Sequence, residues 1–323
     1  MIKTVLVTGG LGYLGGRICH HLSVELGLEV RLTTSRAQTE IPGWAANLDV
    51  RHLDLRENTS EYLSSIMEGV DTVVHLAALN APQCEADPAD AIVVNVGGTQ
   101  SLVSTAVNSS VNRFIYISTA HVYGAPLTGR IDETTASRPS HPYAWTHRAA
   151  EDIVLGTKGL DGVALRLSNV VGAPMDEGAN CWMLVGPDLC RQVAFNNQLT
   201  LSDDGSALRD FVCMSDVVKV IAHVMQLPKK DLGDGLFNVG KGRSMTIFDL
   251  AERIASAGER LTGKKPLIRV MGNPSSKSQV PFTYAIEKII GTGFSFTDNY
   301  ESELMETLQF CSKLLIRKGQ GSD

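Results

Sequence analysis

Short apolar runs rich in β-branched residues alternate, along the first half of the chain, with stretches whose apolar residues recur at helical spacing. The runs are nearly continuous in Val, Ile, Leu and Phe, which is typical of strands buried on both faces of a parallel sheet. This alternation predicts an α/β fold, a doubly wound parallel sheet with helices on both faces. The predicted strands are residues 4–7, 29–34, 49–55, 71–78, 113–118 and 162–168, and the predicted helices after the first one are residues 60–68, 88–109 and 143–155.

A cluster of glycines separates the first apolar run from the first amphipathic stretch. Gly9, Gly12 and Gly15 are three residues apart, so the turn can fold sharply and a ligand can approach the backbone with no Cβ in the way. The free amides at the start of a helix favour an anion such as a pyrophosphate. Strand, glycine turn and helix in this order predict a dinucleotide site, the alternative being a glycine-rich turn that binds nothing.

The chain changes character past about residue 167. Segments become shorter and more polar, turn clusters occur at residues 203–206 and 233–235, and helical patterns return at residues 216–226, 246–261 and 300–316. We expect a dinucleotide-binding domain over residues 1–167 and a smaller, mainly substrate-binding α/β lobe over residues 168–317, from which the chain re-enters the core. Residues 318–323 are expected to form a frayed tail.

Composition narrows the classes of protein. With 43% apolar and 20% charged residues in 323, the chain is typical of a globular enzyme. A net charge of −6 without a basic block argues against nucleic acid or an anionic membrane as partner. The six cysteines lack metal-binding spacing, so no metal site is expected, and they are expected to be reduced. No signal peptide or apolar span is evident, so we expect a cytoplasmic protein.

Several further motifs follow the glycine turn in a fixed order: Asp54-Leu55, His75-Leu76-Ala77-Ala78, Asn95-Val96-Gly97-Gly98-Thr99, Ser118-Thr119-Ala120-His121-Val122-Tyr123-Gly124, Pro142-Tyr143, Leu165-Arg166-Leu167-Ser168-Asn169-Val170-Val171-Gly172, Arg209-Asp210-Phe211-Val212 and Phe237-Asn238-Val239-Gly240. With these motifs the chain resembles the extended short-chain dehydrogenase/reductases from Lys3 to about Leu315. That family includes nucleotide-sugar epimerases, dehydratases and 4-keto reductases. The resemblance implies a Rossmann fold and a nucleotide-sugar substrate.

The resemblance implies that Tyr143 and Thr119 contact the sugar oxygen whose carbon changes oxidation state. A hydride cannot leave a carbinol carbon unless the hydroxyl proton leaves too, so an acid–base group is needed and a hydroxyl to hold the oxygen. An aromatic residue packed in the core at the start of a helix is the alternative for Tyr143.

One position departs from the family pattern, which has a lysine four residues after the tyrosine. Here that position is His147, on the same helix face as Tyr143. A neutral histidine can donate one hydrogen bond to the nicotinamide ribose, but it is only partly charged near neutral pH. Electrostatic activation of Tyr143 is therefore expected to be weaker. Glu151, one turn further, either favours the imidazolium or is a solvated or dimer-face charge.

The end of the second strand bears on the choice of cofactor. Sites for NAD hold the adenosine ribose with an acid about 20 residues past the glycines, and here that stretch has no carboxylate. Hydroxyls and a guanidinium suit a 2′-phosphate, so NADP(H) is favoured, with Thr34, Ser35 and Arg36 as contacts, and NAD(H) is the alternative. The alternative for Arg36 is that it is an ordinary charge on a surface loop. The resemblance implies further cofactor contacts from Gly9, Gly12, Tyr13, Leu14, Gly15, Asp54, Leu55, Leu76, Ala77, Ala78, Asn95, Tyr143, His147 and Val170.

The resemblance places Asn169 and Arg209 against the substrate diphosphate, although Arg209 could instead pair with Asp210. His121 either touches substrate, serves as an additional acid or packs at a strand end. Residues 124–142 and 174–186 are candidate substrate-shaping loops. The dehydratase branch has an acid pair directly after the catalytic threonine, and Ala120 and His121 stand there instead.

We predict an NAD(P)(H)-dependent enzyme that reduces the 4-keto group of a nucleotide-linked sugar. The first alternative is a 4-epimerase with tightly bound NAD, and the second is a cofactor-binding protein of low activity because the lysine is missing. Relatives dimerise through two helices of each subunit, so the resemblance also implies a homodimer with a four-helix interface over residues 88–109 and 143–155.

Overall fold

The computed structural model describes residues 2–37, 40–57, 59–272 and 280–320. The strands are β1 (Thr4–Thr8), β2 (Glu29–Thr34), β3 (Asp49–His52), β4 (Thr72–His75), β5 (Arg113–Thr119), β6 (Gly129–Ile131), β7 (Asp161–Leu167), β8 (Asn169–Val171), β9 (Gln198–Leu201), β10 (Leu208–Cys213), β11 (Leu236–Val239), β12 (Ser244–Thr246), β13 (Leu267–Val270) and β14 (Phe282–Tyr284). The α-helices are α1 (Gly15–His20), α2 (Ser60–Met67), α3 (Ala81–Ala86), α4 (Pro88–Ala91), α5 (Gly98–Asn108), α6 (Pro142–Gly156), α7 (Val185–Asn196), α8 (Met214–Gln226), α9 (Ile247–Thr262), α10 (Glu287–Gly291) and α11 (Tyr300–Gln320).

The main sheet has seven strands, all parallel, in the order β3-β2-β1-β4-β5-β7-β11. The predicted doubly wound sheet is confirmed. The strand order reverses between β1 and β4, so a crevice opens there at the carboxyl ends of the strands. Strands β3 and β4 end three residues earlier than predicted, at His52 and His75. The residues that follow leave the sheet at this edge.

Helices cover both faces of the sheet. One apolar layer packs α1, α8 and α10 against one face, and the other packs α2, α5 and α6 against the opposite face. A third apolar cluster joins α7, α9 and α11 with β9 and β10 outside the main sheet. Strand β11 comes from the C-terminal half yet pairs with β7 in the main sheet. The division of residues 1–317 into a cofactor domain and a substrate lobe stays a prediction.

Two π-helical stretches interrupt the helices that flank the crevice. His21–Glu25 continues α1, with the Leu26 amide donating to the His21 carbonyl, and Ile92–Gly97 joins α4 to α5. A π-helical turn accommodates one extra residue without ending the helix. The predicted helix over residues 88–109 therefore consists of three segments, an α-helix, a π-helical stretch and a second α-helix.

The C-terminal half holds elements that its sequence pattern did not reveal. The short strands β8, β10 and β12 form a small sheet, and β9 pairs with β13 and β6 with β14. Helix α7 begins at the end of the predicted loop over residues 174–186. Helix α11 includes residues 318–320, which were expected to be frayed, while residues 321–323 lie outside the described part of the chain. None of the helices in the described ranges has the length and apolar character needed to cross a membrane.

Candidate active site

The glycine turn lies between β1 and α1 at the crevice. Gly9 has a φ of +69°, which favours glycine, and a Cβ there would lie 3.1 Å from the Ala77 amide nitrogen. A Cβ on Gly15 would lie 2.2 Å from the Gly9 carbonyl oxygen, so only glycine lets the helix start against the turn. Gly12 is exposed, and a Cβ on it would meet only the Gly9 carbonyl oxygen, at 3.1 Å. The first and third glycines therefore serve the turn itself, and the second leaves room for a ligand.

A buried hydrogen-bonded chain joins the two strands at the point where the sheet order reverses. The Thr8 hydroxyl lies 2.6 Å from His75 Nδ1 and accepts hydrogen bonds from the Leu76 and Ala77 amides, each at 3.2 Å. His75 Nε2 lies 3.0 Å from the hydroxyl of Thr99, which donates to the Asn95 carbonyl oxygen. Burial lowers the pKa of His75 to about 3, so the ring is neutral. The chain fixes the loop after β4 beside the glycine turn.

Asn95 was predicted to line the cofactor path, and in the structure its side chain is buried. It is 1% exposed, and its Oδ1 accepts from the Leu79 amide at 2.8 Å. Its Nδ2 donates to the Thr146 hydroxyl at 3.1 Å and to the sulfur of Cys84. Thr146 lies on α6, so Asn95 ties the loop after β4 to the helix that carries Tyr143.

Tyr143 lies in the first turn of α6, and Thr119 ends β5 beside it. Burial raises the pKa of Tyr143 to about 12, and a hydrogen bond with the Thr119 side chain acts in the opposite direction. The structure therefore brings together the phenol and the hydroxyl that were predicted to hold one substrate oxygen. The phenol is protonated in the absence of ligands.

His147 lies one turn further along α6, with its ring centroid 4.4 Å from that of Tyr143. The residue is 4% exposed, and its Nδ1 lies 2.6 Å from the phenolic oxygen of Tyr116 on β5. Its Nε2 is buried and has no hydrogen-bond partner among the described residues. Burial, then the neighbouring His75 and His121, lower the pKa of His147 to about 3. A fixed positive charge is therefore absent where the family has lysine.

The sequence suggested that Glu151 is a solvated charge or a partner of His147. The structure shows neither. Glu151 is fully buried and accepts two hydrogen bonds from Arg166, at 2.9 and 2.6 Å from Nε and Nη2, and a third from the Ser118 hydroxyl at 2.5 Å. Tyr116 and Ser118 are two residues apart on β5 and lie on the same face, so the strand presents them to successive turns of α6. The ion pair belongs to the packing of helix on sheet and not to the reacting centre.

A second group of rings lies at the other side of Tyr143. His121 is exposed, and its ring centroid lies 5.3 Å from that of His141 and 6.0 Å from that of Tyr143. Partial burial, then His141 and Arg209, lower the pKa of His121. Being exposed, His121 is not the packed strand-end histidine that was one of its predicted roles.

Arg209 and Asn169 lie on neighbouring strands of the small sheet, β10 and β8. The Asn169 side chain donates to the Asp210 carbonyl oxygen at 3.0 Å, and the Arg209 guanidinium donates to the Leu208 carbonyl oxygen at 2.8 Å. The Asp210 carboxylate accepts instead from the amides of Lys241 and Arg243, at 2.8 and 3.1 Å. Arg209 and Asp210 form no ion pair in the described part of the chain, so the exposed guanidinium is available to an anion.

Arg36, predicted to bind the adenosine end of the cofactor, pairs with Asp176, a contact that the sequence did not indicate. Arg36 Nη1 lies 2.5 Å from Asp176 Oδ1, and Nη2 donates to the Leu11 carbonyl oxygen at 2.9 Å. Thr34 is buried, with its hydroxyl accepting from the Arg36 amide, and Ser35 is exposed. Asp54 accepts from the Arg56 amide at the end of β3, beside the buried Leu55.

Sequence reasoning missed three residues of this region: Tyr116, His141 and Asp176. Period-two alternation along β5 places Tyr116 on the same face as Ser118, and a helix packed on that face brings its i, i+4 positions opposite them. Asp176 had no such signal, because it comes from an irregular segment distant in sequence. No cluster of side chains suited to a metal ion occurs in the part of the chain that the structure describes.

A Rossmann sheet with a glycine turn at the strand-order reversal and a paired tyrosine and threonine beyond it defines a class, the short-chain dehydrogenase/reductase enzymes. The family model described as "NAD dependent epimerase/dehydratase family" matches residues 5–240. The chain belongs to this family, and it is an enzyme of the extended short-chain dehydrogenase/reductase class.

Curated relatives and solved structures agree with the family. The chain is 27% identical to UDP-glucose 4-epimerase of Halalkalibacterium halodurans over 77% of its own length and 78% of the relative's. It is 25% identical to human dTDP-D-glucose 4,6-dehydratase over 95% of its length and 89% of the relative's. The structure of UDP-N-acetylglucosamine 4-epimerase from Methanobrevibacter ruminantium with UDP-N-acetylmuramic acid superposes with a TM-score of 0.80 at 25% identity, covering 97% and 99% of the two chains. Thermus thermophilus UDP-glucose 4-epimerase in complex with NAD superposes with a TM-score of 0.77 at 24% identity, over 96% and 99%.

Proposed function

We propose that this enzyme transfers hydride between a nicotinamide dinucleotide and one carbon of a nucleotide-linked sugar, with Tyr143 as acid and base. The observation that carries the proposal is the pairing of the Tyr143 phenol with the Thr119 hydroxyl beside the crevice at the strand ends. When bound, the nicotinamide supplies the acceptor or donor of the hydride. Tyr143 takes the hydroxyl proton as the carbon is oxidised and returns it on reduction, while Thr119 holds the oxygen.

His147 acts in this proposal as a neutral hydrogen-bond donor. With the Tyr116 hydroxyl donating to Nδ1, the ring proton lies on Nε2, the buried atom that has no partner among the described residues. We assign Nε2–H to a hydroxyl of the nicotinamide ribose. Because the ring carries no charge, it orients the cofactor but lowers the pKa of Tyr143 less than a lysine would.

The remaining cofactor contacts follow the crevice. Gly12 and the amides that begin α1 suit the pyrophosphate, since that helix continues into the π-helical turn and its N-terminus faces the glycine turn. The exposed Ala78 lies past β4, where a planar group can pass over the fixed loop. The residues we propose to line the cofactor path are Gly9, Gly12, Tyr13, Leu14, Gly15, Thr34, Ser35, Arg36, Asp54, Leu55, Leu76, Ala77, Ala78, Asn95, Tyr143, His147 and Val170.

We propose that the substrate lies between β5 and the small sheet. The exposed Arg209 suits an oxygen of the diphosphate, and Asn169 lies on β8, the strand that pairs with the Arg209 strand β10. His121 and Thr119 would meet the sugar, since both border Tyr143.

The form of the reaction that we propose is epimerisation at C4, in which one carbon is oxidised and reduced again with no net use of reductant. The sequence favoured reduction of a 4-keto sugar because it predicted an NADPH site at Arg36. Arg36 is held by Asp176, and this weakens that reason. Three of the four proteins named above are UDP-sugar 4-epimerases. Reduction of a 4-keto group is the second candidate, favoured by the absence of a carboxylate at the end of β2.

The test is mass spectrometry of the small molecules that co-purify with the protein, followed by turnover assays on UDP-glucose, UDP-N-acetylglucosamine, UDP-glucuronic acid and dTDP-glucose. Epimerisation predicts a retained dinucleotide and interconversion of two sugars without net change in reduced nicotinamide. Net consumption of NADPH or NADH by a keto-sugar supports the second candidate. A retained dinucleotide without turnover of any nucleotide sugar would leave only a cofactor-binding protein and reject the proposed activity.

We also propose a homodimer through α5 and α6. These helices pack side by side on one face of the sheet, and Ile92 and Val93, in the π-helical stretch before α5, are each 49% exposed. Light scattering after gel filtration tests it, and a monomer at micromolar concentration rejects it. All six cysteines are buried and unpaired, which suits the cytoplasm that we propose as its location.

A further inference from the structure

The Arg36–Asp176 ion pair connects two segments that are 140 residues apart. Both side chains are largely buried, with 21% and 13% exposed, and the separation of Nη1 from Oδ1 is 2.5 Å. The second nitrogen, Nη2, is bound to the Leu11 carbonyl oxygen in the glycine turn. The guanidinium therefore lies directly over the turn on which a dinucleotide would rest, and it has a carboxylate beside it there.

Asp176 is held in place by its own segment. Its Oδ1 also accepts the Gly178 amide at 3.0 Å, and Gly178 approaches Arg36 so closely that a Cβ there would lie 2.9 Å from Nη1. Met175 packs on the start of the first helix, where a Cβ on Gly16 would lie 2.9 Å from the Met175 Cβ. The carboxylate is thus a fixed part of this edge.

The adenosine ribose of a bound dinucleotide lies at the end of the second strand. A ribose diol donates hydrogen bonds to a carboxylate, whereas a 2′-phosphate is repelled by one and needs an unpaired guanidinium. The end of β2 supplies no acid, because Thr34, Ser35 and Arg36 stand there. The only carboxylate bonded to this arginine, within the described residues, comes from Asp176.

We propose that Asp176 is the residue that makes the site select NAD(H) over NADP(H), by occupying Arg36 and placing a carboxylate where the 2′-phosphate would lie. The inference rests on the proposed function, since it assumes that a nicotinamide dinucleotide binds along the glycine turn. A segment of the C-terminal half then supplies the carboxylate that the end of β2 lacks.

The test compares the dissociation constants of NADH and NADPH, measured by the fluorescence of the reduced nicotinamide on nucleotide-free protein. Wild type is expected to bind NADH at least about tenfold more tightly than NADPH. Asp176→Asn keeps the shape and the acceptor for the Gly178 amide but removes the charge, and we expect it to shift the preference toward NADPH by about tenfold to a hundredfold. Adding Arg36→Ala to Asp176→Asn is expected to abolish the gain in NADPH affinity.

Asp188→Asn is the matched control, since Asp188 forms a similar pair with Arg191, at 2.8 Å, on α7 and has no contact with Arg36. It is expected to leave the ratio of the two constants unchanged. If Asp176→Asn fails to fold, judged by circular dichroism, Asp176→Ser is measured in its place. A wild type that prefers NADPH, or a ratio that neither Asp176 variant changes, overturns the inference. If wild type binds neither NADH nor NADPH, the proposed function itself is rejected.

Discussion

The Nδ1 atom of His147 lies 2.6 Å from the phenolic oxygen of Tyr116, and the rest of the ring faces Tyr143 with a centroid separation of 4.4 Å. A tyrosine from the sheet thus holds the histidine that stands in the lysine position of the family. This contact fixes both the orientation of the imidazole and the nitrogen that is left to bind a ligand.

Replacing Tyr116 with phenylalanine removes the hydrogen bond but keeps the ring that packs under α6. We expect turnover to fall about tenfold and the KM for the dinucleotide to rise, because the imidazole can then rotate or change tautomer. Steady-state kinetics on the substrate identified by the assays above provides the measurement.

Tyr123→Phe is the control, because Tyr123 is also buried and its hydroxyl donates to Asn238 Oδ1 at 2.7 Å. Both variants should lose about 1 kcal/mol of stability. Only Tyr116→Phe is expected to change the kinetic constants for the dinucleotide, and equal kinetic effects in the two variants would contradict a positioning role.

Tyr143→Phe is expected to lower turnover by about a hundredfold to ten-thousandfold while the dinucleotide still binds. The ring stays in its place beside Thr119 and His147, but no proton can be exchanged with the sugar oxygen. Single-turnover measurement of hydride transfer checks this, with Tyr62→Phe on the surface of α2 as the control. Turnover within a few-fold of wild type would show that another group is the acid and base.

Glu151→Gln and its neighbour Asp152→Asn form a matched pair for stability. Glu151 is fully buried with Arg166, whereas Asp152 is 65% exposed and pairs with Arg148 on the surface of α6. Breaking the buried pair leaves the Arg166 charge uncompensated and should cost about 3–5 kcal/mol, while the surface change should cost less than about 0.5 kcal/mol. Urea unfolding gives both values. Similar small losses of stability in the two variants would contradict the predicted cost of breaking the buried Glu151–Arg166 pair.

The buried neutral histidine should also make stability depend on pH. The pKa of His147 is about 3 in the folded chain, and in the unfolded chain it is about 6.5. Between pH 6.5 and about 3 the unfolded state binds a proton on His147 that the folded state does not. The free energy of unfolding is therefore highest above pH 6.5 and decreases as the pH falls through this range. Relative to His147→Gln, wild type should lose about 1.4 kcal/mol more per pH unit between about pH 6 and 4. Parallel curves of unfolding free energy against pH would contradict a buried neutral ring.

The sheet and the closeness of Tyr143 and His147 could be predicted from the sequence because their signals are local. Apolar runs mark buried strands, glycine spacing marks the turn, and the four-residue interval from Tyr143 to His147 fixes a shared helix face. The burial of Glu151 could not be predicted, since Glu151 is on α6 and its partner Arg166 is on β7. Whether a carboxylate on a helix faces solvent or the sheet depends on how far the helix is rotated.

Distance along the chain also separates the two residues that bear on the choice of cofactor, Arg36 and Asp176. The residues at the end of β2 suggested a 2′-phosphate site when considered alone, and Asp176 changes their electrostatics from a segment 140 residues away. The short strands of the C-terminal half were also missed, because all of them except the six-residue β10 have only three or four residues and carry too little periodicity to be recognised. Non-local pairing decides both features.

In the function proposed above, His147 acts as a neutral hydrogen-bond donor and not as a cation. The most direct test is the pH dependence of single-turnover hydride transfer from sugar to cofactor in wild type, His147→Ala and His147→Lys. We predict that the wild-type rate rises with pH without a break near 6.5, that alanine lowers the rate about tenfold without changing the profile, and that lysine moves the rise to lower pH by about one to two units. A break near pH 6.5 in wild type that disappears in His147→Ala, or an alanine variant as fast as wild type, would contradict the claim.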